Sequence, residues 1–157
     1  MAIRVISIGK TNIDFVQSGI DEYLNRLKHY TKLAWTELPD VRKVDRTDQE
    51  QLKRKEGEAF LQVIDARDTV ILLDEKGKGL TSEGFAAMIE QFQLYEQGDL
   101  VFVIGGAYGF SEELYKRANR KLSLSALTFN HQMVRMILAE QLYRAFSIIR
   151  GEPYHHS

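Results

Sequence analysis

Leu100-Val-Phe-Val-Ile104 runs straight into Gly105-Gly-Ala-Tyr-Gly109, and Ser111 follows two residues later. An unbroken apolar run this short fits a strand covered on both faces. The glycines then turn the chain, and Ser111 can cap a helix running to about Lys121. Buried strand, glycine turn and capped helix make one repeat of a parallel α/β sheet. The same unit stands upstream, where Thr69-Val-Ile-Leu-Leu73 meets a turn at Asp74-Glu-Lys-Gly-Lys-Gly79, and Ser82 is placed to cap a helix through Leu94.

Working outward, Arg4–Ile8 and Leu33–Leu38 read as strands, the second closed by Pro39-Asp40. Between them, Val16, Ile20, Tyr23, Leu24 and Leu27 mark one face of a helix from Ile13 to Tyr30. Val41 to about Gln49 reads as a charged loop, and Gln51–Ile64 as a helix. Leu122–Phe129 reads as a short fifth strand with a loop, and Gln132–Ile149 as a long last helix. Five strands alternating with five helices imply a mostly parallel α/β sheet in a single domain spanning residues 1–157.

Composition sets outer bounds. At 157 residues, 44% hydrophobic and 27% charged, the chain suits one soluble domain with a real core. No apolar run approaches the roughly 20 residues of a membrane span, and Met1–Ile8 reads as a strand rather than a signal peptide. The absence of cysteine excludes disulfides and thiolate chemistry. A cytoplasmic location is expected. Net charge is −1, but residues 115–157 hold seven Lys or Arg against two Glu, leaving the first 114 residues at −6. A basic end on an acidic body suits a polyanion-facing surface, and ordinary solvated charge explains the counts equally well.

The glycine turn lacks G-x-G-x-x-G spacing and no G-K-[ST] follows, so neither a dinucleotide fingerprint nor a P-loop is present. Two turns at strand carboxyl ends, 74–79 and 105–109, are nevertheless placed to lie side by side where open parallel sheets bind ligands. Leu122-Ser-Leu-Ser-Ala-Leu-Thr-Phe129 alternates, so Leu122, Leu124 and Ala126 would share one strand face. It reads equally as a loop offering backbone groups to a purine edge. In the last helix, His131 and Arg135 are expected to share a face, and Glu140–Arg144 to form an i,i+4 ion pair. Either arginine could instead hold a phosphate. His131, His155 and His156 lack metal-site spacing, so no metal is expected.

Taken together, Leu72-Leu-Asp74, Val103-Ile-Gly-Gly106, Leu122–Phe129, His131, Tyr143-Arg-Ala145 and Pro153-Tyr-His155 resemble the ribosomal RNA large subunit methyltransferase H family. Ile6-Ser-Ile-Gly-Lys10 and Lys55-Glu-Gly-Glu58 fit it too. These are SPOUT methyltransferases, and the resemblance implies an α/β sheet ending in a trefoil knot that holds S-adenosyl-L-methionine. It implies cofactor contacts at Leu73, Gly105, Leu124, Ser125, Ala126, Leu127, Thr128 and Phe129, mostly through backbone.

The implied reaction is methylation of N3 of a pseudouridine in 23S rRNA of the assembled ribosome. The implied assembly is a homodimer, with the last helix at the interface and the tail of one subunit near the cofactor of the other. Tyr154 and His155 would orient the base and accept its proton, with Arg144 and His131 near the transfer site or on RNA phosphate. A SPOUT enzyme acting on tRNA, or a non-enzymatic ribosome-associated module, remain the other readings. Asn130 stands where the family usually has proline, which predicts a less rigid turn there.

Overall fold

β1 (Ile3–Ile8), β2 (Leu33–Leu38), β3 (Thr69–Gly79), β4 (Leu100–Ile104) and β5 (Arg120–Ser123) form one sheet in the order β2-β1-β4-β3-β5, every neighbouring pair parallel. The computed structural model describes residues 2–42, 44–45 and 47–156. Lys43 and Arg46 of the expected loop, and the chain ends Met1 and Ser157, lie outside the described residues. No described helix is long and apolar enough to cross a membrane.

β4 is buried along its whole length between β1 and β3, as its unbroken apolar run requires. Alternation along the strands sorts the core into two layers. Ile3, Val5, Ile71, Phe102 and Ile104 face α1 (Asp14–Leu27), α3 (Ser82–Tyr95) and α5 (Met133–Ile149). Ile6, Ile8, Val70, Leu72 and Val103 face α2 (Gln49–Gln62) and α4 (Glu112–Arg117). The helices are capped where the sequence offers hydroxyl or carboxylate: Asp48 accepts from Gln51 N–H, and Ser111 from Leu114 N–H. The cap of α3 is Thr81, one residue before the expected Ser82, whose hydroxyl instead donates to Gln141 Oε1 at 3.0 Å.

Two further expectations are corrected. Residues 74–79 do not end β3. The strand continues to Gly79, and Leu73 and Lys78 both oppose Leu122, so residues 74–77 bow out of the ladder. Gly77 permits this, because a Cβ there would lie 2.7 Å from the Leu122 nitrogen. The helix after Ser111 ends at Arg117 instead of about Lys121, so β5 begins at Arg120; it ends at Ser123, and of the two open readings of the residues that follow, the loop is the one that forms. The Ser123 hydroxyl donates to Ser125 O at 2.9 Å, and Leu127 N–H donates to Ser125 Oγ at 2.9 Å. Serine side chains that satisfy local backbone groups compete with a ladder, so the segment beyond Ser123 is a loop.

Candidate functional site: a glycine-walled cleft and a separate aromatic tail

Because β3 and β4 are neighbours with Leu73 opposite Ile104, the two segments singled out by sequence meet at the carboxyl end of the sheet. There they wall a cleft of about 430 Å³. Leu73, Ile104, Phe129 and Val134 supply its apolar surface, and the Gly105–Gly109 backbone forms one side. A Cβ at Gly105 would sit 2.7 Å from the Phe110 ring, so glycine lets the main chain itself form the wall. A smaller hollow continues from Leu73 and Phe129 along Leu124, Ser125 and Leu127. Of the eight cofactor residues implied by the resemblance, Leu73, Gly105, Leu124, Ser125, Leu127 and Phe129 therefore line one connected depression. Ala126 and Thr128 are exposed on the same loop. The cleft's volume falls in the range of small-ligand sites, and its apolar floor beside peptide groups suits an adenosine-bearing cofactor such as S-adenosylmethionine.

His131 also lines this cleft, exposed and ahead of the first turn of α5. Its expected partner on a shared face, Arg135, points elsewhere. Arg135 is 3% exposed and reaches under β1, donating to Ile8 O at 2.8 Å, Gly9 O at 2.9 Å and Glu37 Oε2 at 3.1 Å. Burial pulls its pKa below the ordinary arginine value, with Glu37 opposing that shift. A guanidinium so enclosed does not bind phosphate, which removes that half of the expectation. Gln132 is tied to the same loop, accepting from Asn12 N–H at 2.9 Å and donating to Lys10 O at 3.3 Å. Just ahead of it, Asn130 Oδ1 accepts from Gln132 N–H at 2.8 Å. The start of α5, and with it the His131 wall, is thus fastened to the carboxyl end of β1.

The tail forms a second cluster. α5 closes with Gly151 at φ +68°, Gly151 N–H bonding to Ile148 O and Glu152 N–H to Ser147 O, a Schellman motif. The chain therefore doubles back over its own helix. Tyr154 OH donates to Glu140 Oε1 at 3.2 Å, and its ring meets Tyr143 edge-on at 4.7 Å. The Arg144 guanidinium lies 4.8 Å from that ring's centroid. Arg144 and Glu140 form the expected ion pair, at 2.5 Å. Arg144 Nη1 contacts His155 Nδ1 at 3.0 Å, and His155 Nε2 lies 2.7 Å from Glu83 Oε1. Since arginine offers only donors, Nδ1 must accept, and Nε2 carries the proton toward Glu83. Burial, then hydrogen bonding to Tyr23 and the charge of Glu140, holds the Tyr154 hydroxyl protonated well above the usual tyrosine range.

The four residues expected to be catalytic thus fall in two places. His131 is at the cleft; Arg144, Tyr154 and His155 are together, but none of them lines it. Ten residues of helix separate Val134 from Arg144, about 15 Å along the axis. Glu83 and Tyr143 are the parts of the tail cluster that the sequence did not single out for a role. Glu83 sits 72 positions from His155 and carries no local signal beyond an acid in a first helical turn.

A parallel sheet with a glycine-walled cleft at its carboxyl end, followed by a helix with a polar aromatic tail, defines the class. The profile of a family described as Predicted SPOUT methyltransferase matches residues 1–155, and the chain belongs to that family. Among curated relatives, Ribosomal RNA large subunit methyltransferase H of Christiangramia forsetii is 49% identical over 156 residues, covering 99% of each chain. The protein of the same name from Flavobacterium johnsoniae is also 49% identical, with the same coverage. A probable methylase family protein from Haemophilus influenzae shares the fold at 16% identity, with a TM-score of 0.58 over 99% of this chain and 70% of its own.

Proposed function

We propose that this methyltransferase acts on N3 of a pseudouridine in 23S rRNA of the assembled ribosome, as a cytoplasmic homodimer whose C-terminal region carries the trefoil knot of its family. The relatives' name supports the ribosomal substrate. The observation that carries the two-subunit reading is the separation of the cleft from the Tyr154–His155 tail within one chain. A tail that does not line its own cleft completes a site by serving that of a second copy.

When bound, S-adenosylmethionine supplies an activated methyl group. The protein's share is position and a route for the N3 proton. Leu73, Ile104, Phe129 and Val134 would hold the cofactor's apolar parts, with the backbone of Gly105 and the Leu124–Phe129 loop available to its polar groups. Tyr154, held protonated, donates a hydrogen bond and does not serve as base. His155 Nδ1 holds the lone pair that takes the proton once it leaves Arg144, which then faces the developing charge. His131 lines the approach to the transfer site. A sequence pI near 6.4 fits a folded ribosome as substrate, since shape and many contacts there replace a uniformly basic surface.

Labelled S-adenosylmethionine incubated with ribosomes lacking the modification is expected to label one pseudouridine at N3, with little transfer to free 23S rRNA or tRNA. Label confined to tRNA would keep the fold and move the substrate. Cofactor binding without transfer to any RNA would favour the binding-module reading.

A further inference from the structure

Beside the cleft, and sharing Asp74, Lys76 and Tyr115 with it, lies a second groove of about 460 Å³, completed by Ala118, Asn119, Arg120 and Lys121. Its cations are exposed. Among the described residues, Lys76, Arg120 and Lys121 have no carboxylate within ion-pairing distance. Nearby Lys116 has only a loose 3.6 Å contact with Glu112, both well exposed. The one acid in the groove wall is occupied, because Tyr115 OH donates to Asp74 Oδ2 at 2.5 Å. Burial first, and Asp74 second, push that hydroxyl's pKa up to about 12, so it stays a donor. Phe110 holds the Tyr115 ring edge-on at 5.8 Å, and Lys121 Nζ lies 5.5 Å from its centroid. Tyr108, nearly half exposed at 46%, continues the aromatic surface onto the cleft's glycine wall.

Cations without a carboxylate partner, set among exposed aromatic rings at the mouth of the cleft, are what a single-stranded RNA segment needs: phosphates on the cations, bases on the open ring faces. We propose that the groove formed by Lys76, Tyr115, Arg120 and Lys121 docks the RNA backbone flanking the target nucleotide and leads the strand into the cleft. The proposal rests on the functional reading above and adds the surface that engages the substrate. It also gives the basic C-terminal third of the sequence a location, since Lys116, Arg120 and Lys121 gather here while Arg135 and Arg144 are spent on internal contacts.

The test is an Arg120→Ala/Lys121→Ala double variant, compared with a Lys28→Ala/Lys32→Ala control on another part of the surface. Both pairs are exposed, so folding is expected to survive. The groove variant is expected to raise KM for undermodified ribosomes about tenfold at moderate salt and to flatten the log–log salt slope by about 1–2, the loss of two phosphate contacts. Its kcat and its affinity for S-adenosylmethionine, measured by calorimetry, are expected to stay within about twofold, as in a protein whose cleft is untouched. Unchanged KM and salt slope beside an active wild type would overturn the groove and leave the function standing. An equal effect in the control pair, or a parallel loss of cofactor affinity, would also overturn it. No transfer by the wild type to any RNA would overturn both readings.

Discussion

Replacing His155 by alanine is expected to lower methyl transfer by about 10²- to 10⁴-fold, the range for removing a positioned acid–base group, while cofactor affinity stays within a few-fold. The effect is large because His155 Nδ1 is the imidazole acceptor of the tail cluster, and the two side chains beside it, Tyr154 and Arg144, are donors. Tyr154 is held protonated by burial, Tyr23 and Glu140. Arg144 is a permanent donor, fixed by Glu140. Glu140 already accepts from Arg144 and Tyr154. Cofactor affinity is spared because the cleft and its extension along the Leu124–Leu127 loop are walled by their own chain, and in the proposed dimer His155 of the second copy meets the base. Single-turnover transfer and calorimetric binding together separate the two quantities, and normal transfer in the variant removes His155 from the reaction.

Arg135→Ala is the second large change, and it acts on the scaffold. The side chain closes the gap between α5 and the carboxyl end of β1, satisfying Ile8 O, Gly9 O and Glu37 at once. Alanine removes this donor from both carbonyls and leaves the Glu37 carboxylate without its cation, held by the Thr11 N–H and hydroxyl. Breaking a buried pair by removing one partner costs about 3–5 kcal/mol, and because Glu37 keeps 26% of its side-chain exposure the lower end, about 3 kcal/mol, applies. Urea titration followed by circular dichroism measures it. Cofactor affinity is expected to fall as well, because Val134 and His131 at the cleft wall belong to the turn that Arg135 and Gln132 anchor. A fully stable Arg135→Ala protein would show that the start of α5 is held by its apolar face alone.

The parts of this molecule that sequence disclosed are those where one residue type has one physical use. Leu100–Ile104 and Thr69–Leu73 are apolar throughout because both faces are covered, and the structure makes them the neighbouring strands β4 and β3. Ser111 caps α4, as a hydroxyl before an apolar turn should. Residues 74–79 misled because Asp, Gly and Lys are also turn residues. What keeps them in β3 is the close passage of Gly77 over β5, a tertiary contact with no local mark. The alternation of Leu122–Phe129 could not choose between strand and loop, because what decides it is serine hydroxyls serving their own backbone.

Charge is where sequence was least informative. Arg135 and Arg144 look alike in one helix, yet one is locked under β1 and the other joins the tail. Which of them is free for a ligand depends on Glu37, 98 positions away, and on a chain reversal at Gly151. The separation of cleft and tail follows from that reversal, and it is the feature on which the proposal of a second copy in the site rests.

The most direct test of that composite site is a mixed dimer, built from one subunit carrying His155→Ala and one carrying Gly105→Val. In the second subunit the added side chain meets Phe110 at the cleft wall. Each parent dimer is expected to be inactive. The mixed dimer is predicted to recover about half of wild-type transfer, since one intact cleft then faces one intact tail. A mixed dimer as inactive as its parents would place cleft and tail function within a single chain and contradict the account.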